Sequence, residues 1–184
     1  MVEFGLPLRG QQQSNCMNAV YSYFSARWGS YSSEGFERIP KFLKSLKPTL
    51  SRKNKFIGGV YDLELKANWK VDSAEAWTIQ LQHRLGGKTK FSTKSKSVIA
   101  NNLILKLNND QKLISTLDQI DLVGVTISLA KNTIQLNFSP MGGGICYMIV
   151  PPIRYTVPLD GDKRNKMAWC IEKLAGNVLN SLSA

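Results

Sequence analysis

The chain has a single histidine, His83, and only three cysteines, Cys16, Cys146 and Cys170. These shortages exclude several classes of protein. A structural zinc site takes four ligands, ordinarily from local Cys/His pairs, and no Cys-x-x-Cys is present. Three scattered cysteines suit reduced thiols in a core better than a disulfide framework. No stretch approaches the run of about eighteen apolar residues that spans a membrane. The opening residues, Met1-Val2-Glu3-Phe4-Gly5, lack both the basic and the apolar region of a secretory signal, so a cytoplasmic setting is expected.

Acidic residues are scarce as well. Thirteen Asp and Glu stand against 24 Lys and Arg, a formal charge of +11 and a pI near 9.7. Such an imbalance favours an acidic partner or surface, nucleic acid first and anionic membrane second. The excess is concentrated. Residues 36–55 hold Arg38, Lys41, Lys44, Lys47, Arg52, Lys53 and Lys55 against one acid, Glu37. Residues 84–96 hold Arg84, Lys88, Lys90, Lys94 and Lys96 and no acid. The rest of the chain carries twelve basic and twelve acidic groups, so all the excess lies in these two stretches.

With 184 residues and 43% hydrophobic content, the chain is read as one globular domain over 14–182 behind a loose tail at 1–13. Ser14 can cap a first helix with Met17, Val20, Tyr21, Phe24 and Trp28 on one stripe, stopped by Gly29. Ile39, Phe42, Leu43, Leu46 and Leu50 repeat the helical spacing between Pro40 and Pro48, which predicts a short second helix. From Tyr61 to Val71 the period changes to two, as it does again from Trp77 to Leu85, and these runs are read as a hairpin turning at Asp72–Ala76. Asp110 can cap a helix carrying Leu113, Ile114 and Leu117, while Val98–Leu107 reads as either strand or helix. A second hairpin runs over Val123–Leu129 and Ile134–Phe138 with its turn at Lys131-Asn132. Ile145–Val150 has the apolar character of a central strand, ended by Pro151-Pro152, and Tyr155–Leu159 follows as a further strand. A final helix from about Lys163 turns Met167, Cys170, Ile171, Leu174, Val178 and Leu182 inward. The expected fold is α+β: a largely antiparallel sheet of about five to six strands, covered on one face by the N- and C-terminal helices.

The second basic stretch can be placed on a hairpin. A two-residue Gly86-Gly87 loop would set lysines on the apolar face, whereas a three-residue loop pairs Leu85 with Thr89, His83 with Phe91 and Arg84 with Lys90. Lys90, Lys94 and Lys96 then share the open face with Arg84, and Phe91 points into the core, away from any base. The alternative use of such lysines is protection of a sheet edge.

His83 falls on an apolar face between Leu81 and Leu85, and no Gly-x-Ser-x-Gly elbow accompanies it, so it is read as a core residue and not as a catalytic base. Asp62, Glu64 and Lys66 resemble part of a metal-dependent nuclease site but lack the upstream acid, and the preferred reading is a charge ladder with Glu64 opposite Arg84. Gly142-Gly143-Gly144 leads into a β pattern and not a helix, which makes it a flexible turn instead of a phosphate cradle. Asp160-Gly161-Asp162 is a helix cap. No catalytic residue, metal ligand or cofactor is assigned. The expected function is that of a non-enzymatic module binding a polyanion, nucleic acid without sequence preference, through the twelve basic residues named above. The alternatives are a peripheral protein of anionic membranes whose Phe42, Leu43 and Leu46 insert, a binder of a hydrophobic small molecule beneath Trp69, Trp77 and Phe138, and the nuclease-like enzyme.

Overall fold

The structure, a computed structural model, describes residues 10–55, 58–82, 89–148 and 153–182. In chain order the elements are α1 (Gly10–Trp28), β1 (Tyr31–Ser32), β2 (Gly35–Phe36), β3 (Ser45–Lys55), β4 (Gly58–Lys70), β5 (Trp77–Gln82) and β6 (Lys90–Thr93). They continue with α2 (Val98–Asn109), α3 (Gln111–Asp118), β7 (Leu122–Ala130), β8 (Thr133–Pro140), β9 (Ile145–Met148), β10 (Arg154–Thr156) and α4 (Gly161–Leu182). Strands β1 and β2 form a small hairpin of their own, and the other eight form one antiparallel sheet. The fold is α+β, as the alternation of periods predicts.

Strand β4 organises the sheet. Eleven of its thirteen residues, Gly58–Asn68, pair with β3, so that edge is taken. A strand has two edges, and β8 (opposite Leu65–Lys70) and β9 (opposite Gly58–Tyr61) must therefore lie end to end along the other. Next to β8 come β7, β5 and β6, whereas next to β9 comes only β10. The sheet is thus six strands wide at one half (β3-β4-β8-β7-β5-β6) and four at the other (β3-β4-β9-β10).

The period-2 pattern decides which side is buried. Leu63, Leu65, Ala67 and Trp69 of β4, Leu136 and Phe138 of β8, Val125 and Ile127 of β7, Trp77 and Ile79 of β5 and Phe91 of β6 form one continuous inner face. Helix α4 lays Met167, Cys170, Ile171, Leu174 and Val178 into the core; α2 packs on β5, β6 and α4, and α1 packs on α4 and β3. Truncating a residue as enclosed as Leu63 or Ile127 to alanine removes about 2–5 kcal/mol. Trp69, Trp77 and Phe138, which the sequence offers as a lining for a hydrophobic ligand, belong to this core at 2%, 4% and 0% exposure.

Local chemistry sets the boundaries. Helix α1 begins at Gly10, four residues before Ser14, and buries Cys16, Val20, Phe24 and Trp28 at successive intervals of four. It ends at Gly29, whose φ of +73° a side chain would resist. Ser97 caps α2, its hydroxyl accepting from Ala100 N at 3.1 Å, and this settles the ambiguous 98–107 stretch as helix. Asp110 caps α3 by accepting from Leu113 N at 3.0 Å. The turn Lys131-Asn132 has φ of +50° and +57°, the backbone of a two-residue primed turn closing the β7–β8 hairpin. Asp160 accepts from Asp162 N at the start of α4.

Three expectations need correction. Residues 45–55 are a strand, not a helix: Leu46 and Leu50 are four apart, a spacing that helices and strands both place on one face, and Pro48 is tolerated because β3 is an edge strand. Leu46 at 0% and Leu43 at 5% exposure already lie in the core, so neither can insert into a membrane. Second, β4 and β5 do not form a hairpin, since β8 and β7 lie between them; Glu64 faces Thr49 of β3, not Arg84. Third, Gly142–Gly144 is a packed turn. A side chain on Gly144 would approach Tyr61 O to 2.3 Å and one on Gly143 would meet Leu63 at 2.6 Å, while Gly143 N donates to Val157 O at 2.7 Å.

Candidate polyanion interface

The helices cover only one face of the sheet. Cross-strand register gives the composition of the other: Lys47 faces Lys66, Lys66 faces Asn137, Asn137 faces Thr126, Thr126 faces Gln80 and Gln80 faces Ser92. This single row crosses all six strands of the wide half, about 24 Å at the usual strand spacing. A parallel row runs Ser45, Asn68, Gln135, Ser128, Thr78. The face is therefore a platform of hydroxyls and amides, with lysine at the β3–β4 side and Lys90, opposite Gln82, at the β6 side. Asn137 Oδ1 lies enclosed in the middle of this platform and accepts no hydrogen bond.

The acids on the β4 side of this face are neutralised. Lys53 Nζ lies 2.7 Å from Asp62 and Lys66 Nζ 3.0 Å from Glu64. These pairs use the residues that resemble a nuclease site, and among the described residues no group of three His, Cys, Asp or Glu is arranged to hold a metal ion. By contrast, Lys44, Lys70, Lys90, Lys94, Lys96 and Lys131 pair with no carboxylate among the described residues.

The two basic stretches do not adjoin. They are the two outermost strands of the wide half and their flanks, β3 at one edge and β6 at the other. Within the first stretch, Arg38 is exposed and donates to Ser25 O at 3.4 Å, and Lys41 and Lys44 are exposed before β3. Lys47 lies on the open face and donates to Ser33 O at 2.7 Å. Arg52 lies on the opposite face, over the Tyr61 ring at 6.0 Å and donating to the Tyr147 hydroxyl at 3.4 Å. Lys53 shares the open face with Lys47, and Lys55 stands opposite Gly58 in register.

In the second stretch, Lys90 is exposed on the open face, as expected, but the register is displaced by two: Phe91 faces Leu81, and Lys90 faces Gln82. Strand β6 ends at Thr93, so Lys94 and Lys96 leave the sheet as exposed residues of the link to α2. Arg84, Lys88 and His83 lie outside the described residues.

The fold brings in two cations that the charge runs do not contain. Lys70 ends β4 on the open face, and Lys131 occupies the adjoining β7–β8 turn, where Val71 N donates to Asn132 O at 3.0 Å. A recess of about 450 Å³ opens there, lined by Lys70, Val71, Asp72, Lys131, Asn132 and Thr133. Lys44, whose N–H donates to Asn68 O at 2.9 Å, enters the same end of the sheet from β3. Sequence reasoning missed the grouping because it depends on pairing between residues far apart in the chain, Lys70 with Thr133 and Val71 with Asn132.

A partly exposed ion pair ties two of the helices behind this face. Glu172 of α4 accepts from Arg27 at 2.6 and 2.8 Å and from Trp28 Nε1 at 2.9 Å; burial would raise its carboxyl, but these bonds hold it below the usual range. The cysteines are free thiols, and burial, with Asp110 nearby, pushes Cys170 up to about 12.

The structure defines an α+β domain with a helix-covered apolar face and an open polar face fringed by lysine. Residues 33–178, which take in the whole eight-stranded sheet, match the model of a family described as a protein of unknown function, DUF3156, and the chain belongs to that family. No curated protein and no solved structure matches the chain.

Proposed function

We propose that the open face binds a polyanion, the phosphate backbone of a nucleic acid without sequence preference, and that the domain is a binding module and not an enzyme. One observation carries this reading: the row from Lys47 through Lys66, Asn137, Thr126 and Gln80 to Ser92 on the uncovered face, with Asp62 and Glu64 beside it tied to lysines. Lysine ammonium, hydroxyl and amide groups are the donors that contact phosphate and sugar. The row contains no aromatic ring to stack on a base and no arginine to fork onto one, which fits backbone contact without base reading. Edge protection does not account for Lys70 and Lys131, because neither lies on an edge strand.

The test is affinity for a labelled duplex as a function of salt. Neutralising each phosphate steepens the log–log dependence on salt by about 0.9. The triple variant Lys47→Glu, Lys70→Glu, Lys90→Glu is expected to bind at least tenfold more weakly and to lose about two to three units of that slope. Absence of binding by the wild type at low salt, or unchanged affinity and slope in the variant, would refute the proposal.

A further inference from the structure

The narrow half of the open face differs from the platform. Its two rows, read from register, are Lys53–Val60–Cys146–Tyr155 and Lys55–Gly58–Met148–Ile153, with Met148 N donating to Ile153 O at 2.7 Å. Each begins with a lysine position on β3 and ends on exposed apolar side chains: Met148 is 38% exposed, Ile153 47% and Tyr155 55%. The opposite face of the same strands is filled, with the Tyr147 ring packed over Gly59, where a side chain would lie within 2.6 Å of its hydroxyl. The apolar side chains on the open side therefore have no place in the core.

We propose that this β9–β10 end is a shallow membrane-contact surface for anionic lipid. Met148, Ile153 and Tyr155 enter the headgroup region, and Lys53, half exposed beside Asp62, meets lipid phosphates and carboxylates. Charge separates this occupant from a second copy of the chain. At +11, two copies repel, and three side chains fall far short of the roughly 800 Å² per partner that a stable interface buries. Lipid contact asks for less area, because a few inserted side chains add to electrostatic attraction of about fivefold per lysine near an anionic surface. A tyrosine with its ring buried and its hydroxyl wet suits that interface. Met148 and Ile153, two of the three exposed side chains, offer a nucleic acid no stacking surface.

The experiment is co-sedimentation of the full chain with vesicles of phosphatidylcholine alone or with about one third phosphatidylserine. Binding is expected only to the serine-containing vesicles. The variant Met148→Ser, Ile153→Ser, Tyr155→Ser should lose at least about tenfold of it while keeping the wild-type melting temperature and duplex affinity. Should that variant not fold, Ile153→Glu decides alone, because an anion at this exposed position must weaken vesicle binding. The proposal is overturned if the wild type ignores anionic vesicles or the folded variants bind them undiminished. A dimer that the variant abolishes would assign the patch to self-association, and a parallel loss of duplex binding would assign it to nucleic acid; either result also overturns the proposal.

Discussion

The two edges of the sheet are finished in different ways. At β6, four residues long, the side chain of Asn108 on α2 takes the place of a neighbouring strand: its Oδ1 accepts from Phe91 N at 2.7 Å and its Nδ2 donates to Phe91 O at 3.0 Å. At β3, eleven residues long, the edge carries Pro48, Lys47, Arg52 and Lys53, and only its start is covered, by β2 with Gly35 against Leu46. One edge is closed by a helix, the other guarded by charge and proline. The comparison explains why the basic residues fall in two stretches of sequence, and it divides them by role: a lysine on β3 can serve as a guard, whereas Lys70 at the end of β4 and Lys131 in the β7–β8 turn lie on no edge strand and cannot.

The largest effect is expected at Asn108. Asn108→Ala strips both partners from Phe91 and should cost about 2–3 kcal/mol, a fall of roughly 4–12 °C in Tm for a chain of this length. Asn108→Asp keeps the acceptor and loses the donor, and should fall between the two. A wild-type Tm for Asn108→Ala would mean that β6 needs no closure.

At the other edge, Gly35 has φ of +123°, and a side chain would meet Leu46 O at 3.0 Å. Gly35→Ala should cost about 1–3 kcal/mol, read by urea unfolding, by prising the β1–β2 hairpin from β3. No loss would show that the hairpin does not support β3.

Acid should loosen both edges. Glu172 ties α1, which packs on β3, to α4, and Asp110 caps α3 beside α2, which closes β6. At Asp110, burial raises the carboxyl, but bonds from Leu113 N and Lys173 prevail and lower it. Both carboxyls thus sit below their ordinary values of 4.5 and 3.8, so the stability they contribute is complete above those values and is lost as pH falls through the lower folded ones. Thermal melts between about pH 5 and pH 2 should show that decline, and Glu172→Gln should flatten its upper part.

The smallest effect on stability belongs to Lys47→Thr, expected within about 0.5 kcal/mol by urea unfolding. Its value lies in two further readings. Faster aggregation on heating with unchanged duplex affinity would make Lys47 a guard, and weaker duplex binding without aggregation would place it in the binding face.

Patterning made most of this fold legible. Strict alternation marked β4, β5, β7 and β8, and Lys131-Asn132 marked a turn whose positive φ values the structure bears out. The helix caps at Asp110 and Asp160 were also readable, because a capping side chain acts on residues only two or three positions away. What local pattern hid was β3, since Leu46 and Leu50 satisfy both periods, and the partnership of β4, since a strand that alternates cleanly does not name its neighbour. The candidate face was half visible. Lys47 and Lys90 stood in the charge runs, but Lys70, Lys131, Asn137 and Gln80 join them only through pairing across the sheet.

Strand β4 gives the molecule an order of assembly. One of its edges meets β3 as soon as residue 70 has been made, a local pairing with little loop to close. The other waits for β8 and β9, which end at Met148. Synthesis therefore leaves an eleven-residue-plus hairpin with a bare flank over the time needed to add some 80 residues, roughly 4–16 s at the usual pace of translation. During that interval the lysines of β3 and β4 are the chain's own means of keeping two nascent copies apart.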